Sequence, residues 1–147
     1  MLTFDLNLAG INAAIDGIKT KAEQAIRPAA QAGAQVYYEA VKATAPKSKK
    51  GHWFHGTSHK INGTKYWFES GTLKSAVYQY FLQQDSSKTK AEYLVAWNHR
   101  KVPYGYMVAN GTKRGAKAND YIGAARKTVQ QRAVEAMLST FNQRISQ

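Results

Sequence analysis

An α+β fold is predicted by two stretches of helical hydrophobic period with a block of strand-like sequence between them. Apolar residues recur at helical spacing over residues 8–44 and again after residue 119, whereas residues 65–97 alternate and are rich in aromatic and β-branched side chains. Helices on either side of a run of strands indicate helices packed on one face of a small antiparallel sheet. The 147 residues suit a single domain, 1–147, able to bury roughly two-thirds of its unfolded surface.

The first helix is carried by Ile11, Ile15, Ile18 and Ala22, then by Ala29, Ala32, Val36 and Ala40. Pro28 interrupts this pattern by removing a backbone donor and crowding the preceding turn, so either one long helix kinks there or two helices meet. Thr44-Ala45-Pro46 ends the element, because a residue before proline is pushed out of helical geometry. Residues 46–64, rich in Gly, Ser, Thr, Lys and His, read as a long basic loop.

Three strand-like runs follow, at residues 65–69, 72–82 and 90–97. In the last, Ala91, Tyr93, Val95 and Trp97 share one face, and Glu92, Leu94, Ala96 and Asn98 the other. The polar segment 85–88 joins the second and third runs as an antiparallel hairpin. Pro103 and Gly111 bracket a short helix, and a second basic loop spans 112–118. A long C-terminal helix opens at Asn119 or Asp120 as cap. It places Ile122, Ala125, Val129, Ala133, Ala136 and Thr140 on one face, with a less regular row at Met137, Phe141 and Ile145.

The chain carries 21 Lys and Arg against 9 Asp and Glu, a formal charge of +12. Eleven of those bases lie in two stretches without a single carboxylate, 42–66 and 93–119, which leaves ten bases against nine acids elsewhere. Charge gathered into loops makes a directed field that suits a polyanion such as DNA, contacted through its phosphates. A solvated basic surface with no dedicated ligand is the plainer alternative. The absence of cysteine excludes disulfides, thiolate metal sites and thiol nucleophiles. No secretory leader and no membrane-length apolar run is visible, so synthesis in the cytoplasm and no membrane partner are expected. The Asn-Gly-Thr triplets at Asn62 and Asn110 therefore read as turns.

Few residue combinations suit catalysis. His52, His55 and His59 have a spacing that two or three metal-binding imidazoles could use, but Trp53, Phe54 and Gly56 make a poor helix and no carboxylate lies nearby. Packing among aromatics is their expected role. The carboxylates are scattered singly, no nucleophile elbow is present, and Gly71-Thr-Leu-Lys74 is not a phosphate-binding loop. No catalytic residue, cofactor or metal is assigned. Bases beside aromatics are more suggestive: Lys47, Lys49 and Lys50 near Trp53 and Phe54, and Arg100 and Lys101 near Trp97 and Tyr104. Such mixtures stack on nucleobases in single-strand binders, although Trp97 and Tyr104 are as readily assigned to the core or an interface. No motif that reads base sequence is visible.

Ala45-Pro46 with the Ser/Lys/Gly stretch after it, followed by Ser70-Gly-Thr-Leu-Lys-Ser-Ala-Val77, resembles a signature of small neck or tail-completion proteins of long-tailed bacteriophages, the group that includes minor tail protein Z. Tyr104-Gly-Tyr-Met-Val-Ala-Asn-Gly-Thr112 and Asp120-Tyr-Ile-Gly-Ala-Ala125 are similar to two further segments of that family. Ala109 or Asn110 stands where the family commonly has an acid, and Asp120 where it has proline. The resemblance implies a non-enzymatic virion protein at the head–tail junction, forming a homo-oligomeric ring with other neck proteins, the head-closure or connector and tail-terminator components. On that reading Lys47, Lys49, Lys50, Lys113, Arg114 and Lys117 face duplex DNA in the channel or an acidic neighbour. Trp53, Phe54, Trp67, Tyr78, Tyr80 and Tyr104 are assigned to subunit contacts. A free, sequence-independent nucleic-acid-binding protein is the alternative function.

Overall fold

A computed structural model describes residues 8–56 and 61–147. Helix α1 (Leu8–Thr44) runs through Pro28 as one continuous element, so the split at the proline does not occur. At 1.5 Å per residue its 37 residues extend roughly 55 Å. Its partner is α4 (Tyr121–Ile145). Thr44 Oγ1 donates to the Tyr121 carbonyl at one end, Gly33 meets Met137 midway, and Ala14, Gly17 and Ile18 reach Ile145 at the other. The two helices are therefore antiparallel. Their buried residues are mostly small, Ala25, Ala29 and Ala34 on α1 with Ala125, Val129 and Ala133 on α4, which lets the axes approach closely. The Asp120 carboxylate caps α4 by accepting from Gly123 N at 2.9 Å.

Between the helices lie two small antiparallel sheets, where the sequence predicts one. Strand β1 (His52–Phe54) pairs with β2 (Tyr66–Phe68), matching Trp53 to Trp67. The predicted 46–64 loop thus contains a strand. The reason is tertiary: His52, Phe54 and Phe68 all pack on Tyr104. The predicted strand over 72–82 is also revised. It begins as a one-turn helix, α2 (Thr72–Ser75), and only then becomes β3 (Val77–Phe81). Gly71 at φ +88° precedes the turn, Thr72 Oγ1 donates to the Glu69 carbonyl at 2.6 Å, and Leu73, Ala76 and Val77 are all buried. Their spacing of three and four is that of a helix face.

Strand β3 pairs with β4 (Tyr93–Trp97), Val77 opposite Trp97 and Phe81 opposite Tyr93. The inner face turns to α1, where Gln79 Nε2 donates to Gln35 Oε1 at 2.6 Å and Arg27 lies 4.1 Å over the Phe81 ring. The face assignment of β4 holds, with Leu94 outward. The connection includes a 3-10 turn at Gln83–Asp85 and a bridge from Ser87 to Lys90. Helix α3 (Gly105–Asn110) follows, stopped at Gly111 with φ +75°. The core gathers where the C-terminal end of α1, α2, the start of β3 and the start of α4 converge, with Val41, Val102 and Tyr121 almost fully buried.

Candidate functional site

The predicted site residues fall into three groups. The first is the loop after α1. Lys47, Lys49 and Lys50 follow Pro46, and the loop is tied down by Ser70 Oγ donating to the Ser48 carbonyl. Lys49 and Lys50 are exposed. A side chain built on Gly71 would meet the Lys47 chain at ordinary contact distance. The second group is the 112–118 loop. Thr112 N donates to the Ala116 carbonyl at 3.0 Å, Gly115 N to the Thr112 carbonyl at 3.1 Å, and Ala116 N to Thr112 Oγ1 at 3.2 Å. A side chain on Gly111 would sit 2.7 Å from the Ala116 oxygen, and Gly115 has φ +105°. Both glycines are therefore needed for a turn that leaves Lys113, Arg114 and Lys117 outside.

These two loops lie at one end of the molecule. Lys47 and Ser48 border Tyr104 and Val108, and the Val108 carbonyl accepts from Asn119 N at 2.9 Å. The end of α1 meets the start of α4 beside them. Among the described residues the ion pair found is Lys90 with Glu92, and none of the six predicted loop bases takes part in one. Their charge is thus directed outward and not paired with a carboxylate among the described residues.

The third group is aromatic. Trp53 and Trp67 meet edge to face at 5.3 Å on the outer side of the β1–β2 hairpin, and Lys65 Nζ lies 5.0 Å from the centre of the Trp53 ring. Trp67 Nε1 donates to Glu69 at 2.6 Å. Trp53, Trp67, Tyr78 and Tyr80 are exposed. Phe54 is half-buried against the core. Tyr104 does not fit that assignment. It is only 9% exposed, and its ring is taken up by His52, Phe54 and Phe68. Burial raises its pKa.

One arrangement was not visible in the sequence. A cleft of about 730 Å³ opens beside β2, with Tyr66, Trp67 and Phe68 on one side and Arg100 and Lys101 on the other. Asn98 aims the two bases by accepting from their backbone N–H groups at 3.0 and 3.1 Å. In the chain Arg100 and Lys101 neighbour Trp97 and Tyr104, but in space they face aromatics more than thirty residues earlier. The only sequence signal was the shared lack of acids. Of the three histidines, His52 packs 4.7 Å from Tyr104, His55 is exposed, and His59 lies outside the described residues. No cluster of three or more metal-ligating side chains exists among the described residues. No helix among them is long and apolar enough to cross a membrane.

No protein-family model matches the chain, and no curated protein or solved structure shows a significant match to it.

Proposed function

We propose that this chain is a structural, non-enzymatic protein of a bacteriophage virion, forming a ring at the head–tail junction and linking the tail to the DNA-filled head. The observation that carries the proposal is the β3–β4 sheet. It has two strands, so among the described residues each leaves one edge without a strand partner. Its outer face also leaves Tyr78, Tyr80 and Leu94 exposed. Open edges and bare aromatic faces are what assembly covers. The basic loops at the end where α1 meets α4 supply a surface for DNA phosphates or for an acidic neighbouring ring. The family-like segments also fall on positions that shape the fold: Leu73, Tyr104, Tyr121 and Ala125 are all buried.

The test is assembly. Tyr80→Asp with Leu94→Asp changes exposed side chains, and the variant is expected to stay folded yet fail to enter rings with its neck partners. Full-sized rings from that variant, seen by electron microscopy, would remove the proposal. Reversing Lys113, Arg114 and Lys117 to Glu should impair DNA retention in the particle. Unchanged DNA retention and infectivity would discard the channel role of those three.

A second reading, a free nucleic-acid binder, is favoured by the cleft between Tyr66, Trp67, Arg100 and Lys101, since aromatic faces and cations together accept stacked bases. Tight binding of single strands by the isolated chain, lost in Tyr66→Ala with Arg100→Glu, favours that reading over the first.

A further inference from the structure

Helix α1 carries a seam in strict heptad spacing, in which Ile11, Ile15, Ile18, Ala22, Ala25 and Ala29 fall alternately four and three residues apart. The second half of the seam is closed, with Ala25 fully buried and Ala29 7% exposed. The first half is bare. Ile11, Ile15 and Ile18 are 45%, 56% and 66% exposed, because α4 stops at Ile145 beside Ala14, Gly17 and Ile18. Small residues thus stand where α4 packs on α1, and large ones at and beyond its end, where no other helix among the described residues covers them. On an exposed helix isoleucine forms helix less well than alanine, and its larger apolar surface stabilises only when covered.

We propose that the bare half of this seam receives a helix from another protein, amphipathic and with acidic residues flanking its apolar stripe, lying along α1 where α4 ends. The site has a shape and a charge. At its inner end, beside Ile18, a groove of about 460 Å³ runs between Ala14, Gly17, Ile18 and Lys21 of α1 and Ile145 of α4, while Ile11 and Ile15 continue the apolar stripe beyond it. Lys19 and Lys21 occupy the two positions flanking the seam. Both are exposed, and neither is in an ion pair among the described residues. Asp16 and Glu23 lie further round the helix. A second copy would add two more lysines to the joint, whereas an acidic-flanked helix brings the opposite sign. The inference rests on helix geometry and is independent of the virion reading.

The test uses the full chain and three designed helical peptides. One has an apolar heptad seam flanked by Glu, one the same seam flanked by Lys, and one the Glu flanks with a polar seam. Fluorescence anisotropy is expected to show the first binding about tenfold or more tighter than either control. Ile15→Asp should abolish that binding, and Lys19→Glu with Lys21→Glu should transfer the preference to the Lys-flanked peptide. Both variants alter exposed residues, and circular dichroism checks that each stays folded. No binding of the first peptide, equal binding of all three, or undiminished binding by Ile15→Asp overturns the proposal. So does concentration-dependent self-association of the natural chain that Ile15→Asp removes, which would assign the seam to a second copy.

Discussion

Tyr121 is 1% exposed, yet its hydroxyl has no hydrogen-bond partner among the described residues. Burial, reinforced by Tyr104, pushes its pKa from 10.0 up to about 12. Between those values an unfolded chain ionises this phenol while the folded chain holds the proton. Stability is therefore intact below about pH 10 and falls as pH rises towards 12. Tyr121→Phe should flatten that alkaline slope and leave neutral stability unchanged or higher by about 1 kcal/mol, because it removes an unpaired buried hydroxyl. Urea titrations across the pH range check both. Two glycines offer a second contrast. A methyl on Gly105 meets the rigid Trp97 indole, whereas one on Gly33 meets the flexible Met137 side chain. Gly105→Ala should cost about 1–3 kcal/mol by overpacking. Gly33→Ala should cost less, about 1 kcal/mol, since better helix propensity offsets part of the shift that Met137 Cγ and Sδ must make. A large loss for Gly33 with none for Gly105 would contradict the packing described.

At the scale of elements, α1 is two helices in energetic terms although one in geometry. Its C-terminal part is stabilised by packing on α4 and the β3–β4 sheet, while residues 9–20 are exposed on every side. Ile15→Ser should change unfolding free energy by no more than about 0.5 kcal/mol. Ala25→Leu, in the closed part of the same seam, should cost about 1–3 kcal/mol. Similar losses at both sites, measured by thermal or urea unfolding, would mean that α1 is covered along its whole length. The helical spacing of Ile11, Ile15, Ile18 and Ala22 was legible in the sequence. Which half of the seam is covered was not, because that depends on where α4 ends relative to α1. Residues 72–77 erred in the other direction: Leu73, Ala76 and Val77 carried a helical spacing that the β-rich surroundings concealed. The His52–Phe54 strand was hidden because three residues are too few for a period to show, and it pairs with residues more than ten positions further along the chain.

For the whole molecule, the long helix separates two different surfaces. At one end the 46–50 and 112–118 loops project bases. At the other α1 extends past α4 with its isoleucines bare. On the two proposals made above, partners meet the chain at both ends and along the β3–β4 sheet. The basic end should bind duplex DNA without sequence preference, with affinity falling steeply as salt rises. Reversing Lys113, Arg114 and Lys117 should lessen the slope of log affinity against log salt by roughly 2–3, if each base contacts one phosphate. An unchanged slope in filter-binding or anisotropy titrations would place the contact elsewhere.

By itself the sequence determined the α+β class, the two long helices, the antiparallel pairing of the β3 and β4 segments, the two faces of β4 and a cap at Asn119 or Asp120. All of these follow from local periodicity and capping chemistry, which act over a few residues. Only the tertiary structure decided that Tyr104 is core, that Arg100 and Lys101 face Tyr66 and Trp67, and that half of the α1 seam is left bare. Each of those depends on which distant residues meet, and burial is a property of the assembled chain that no short window of sequence contains.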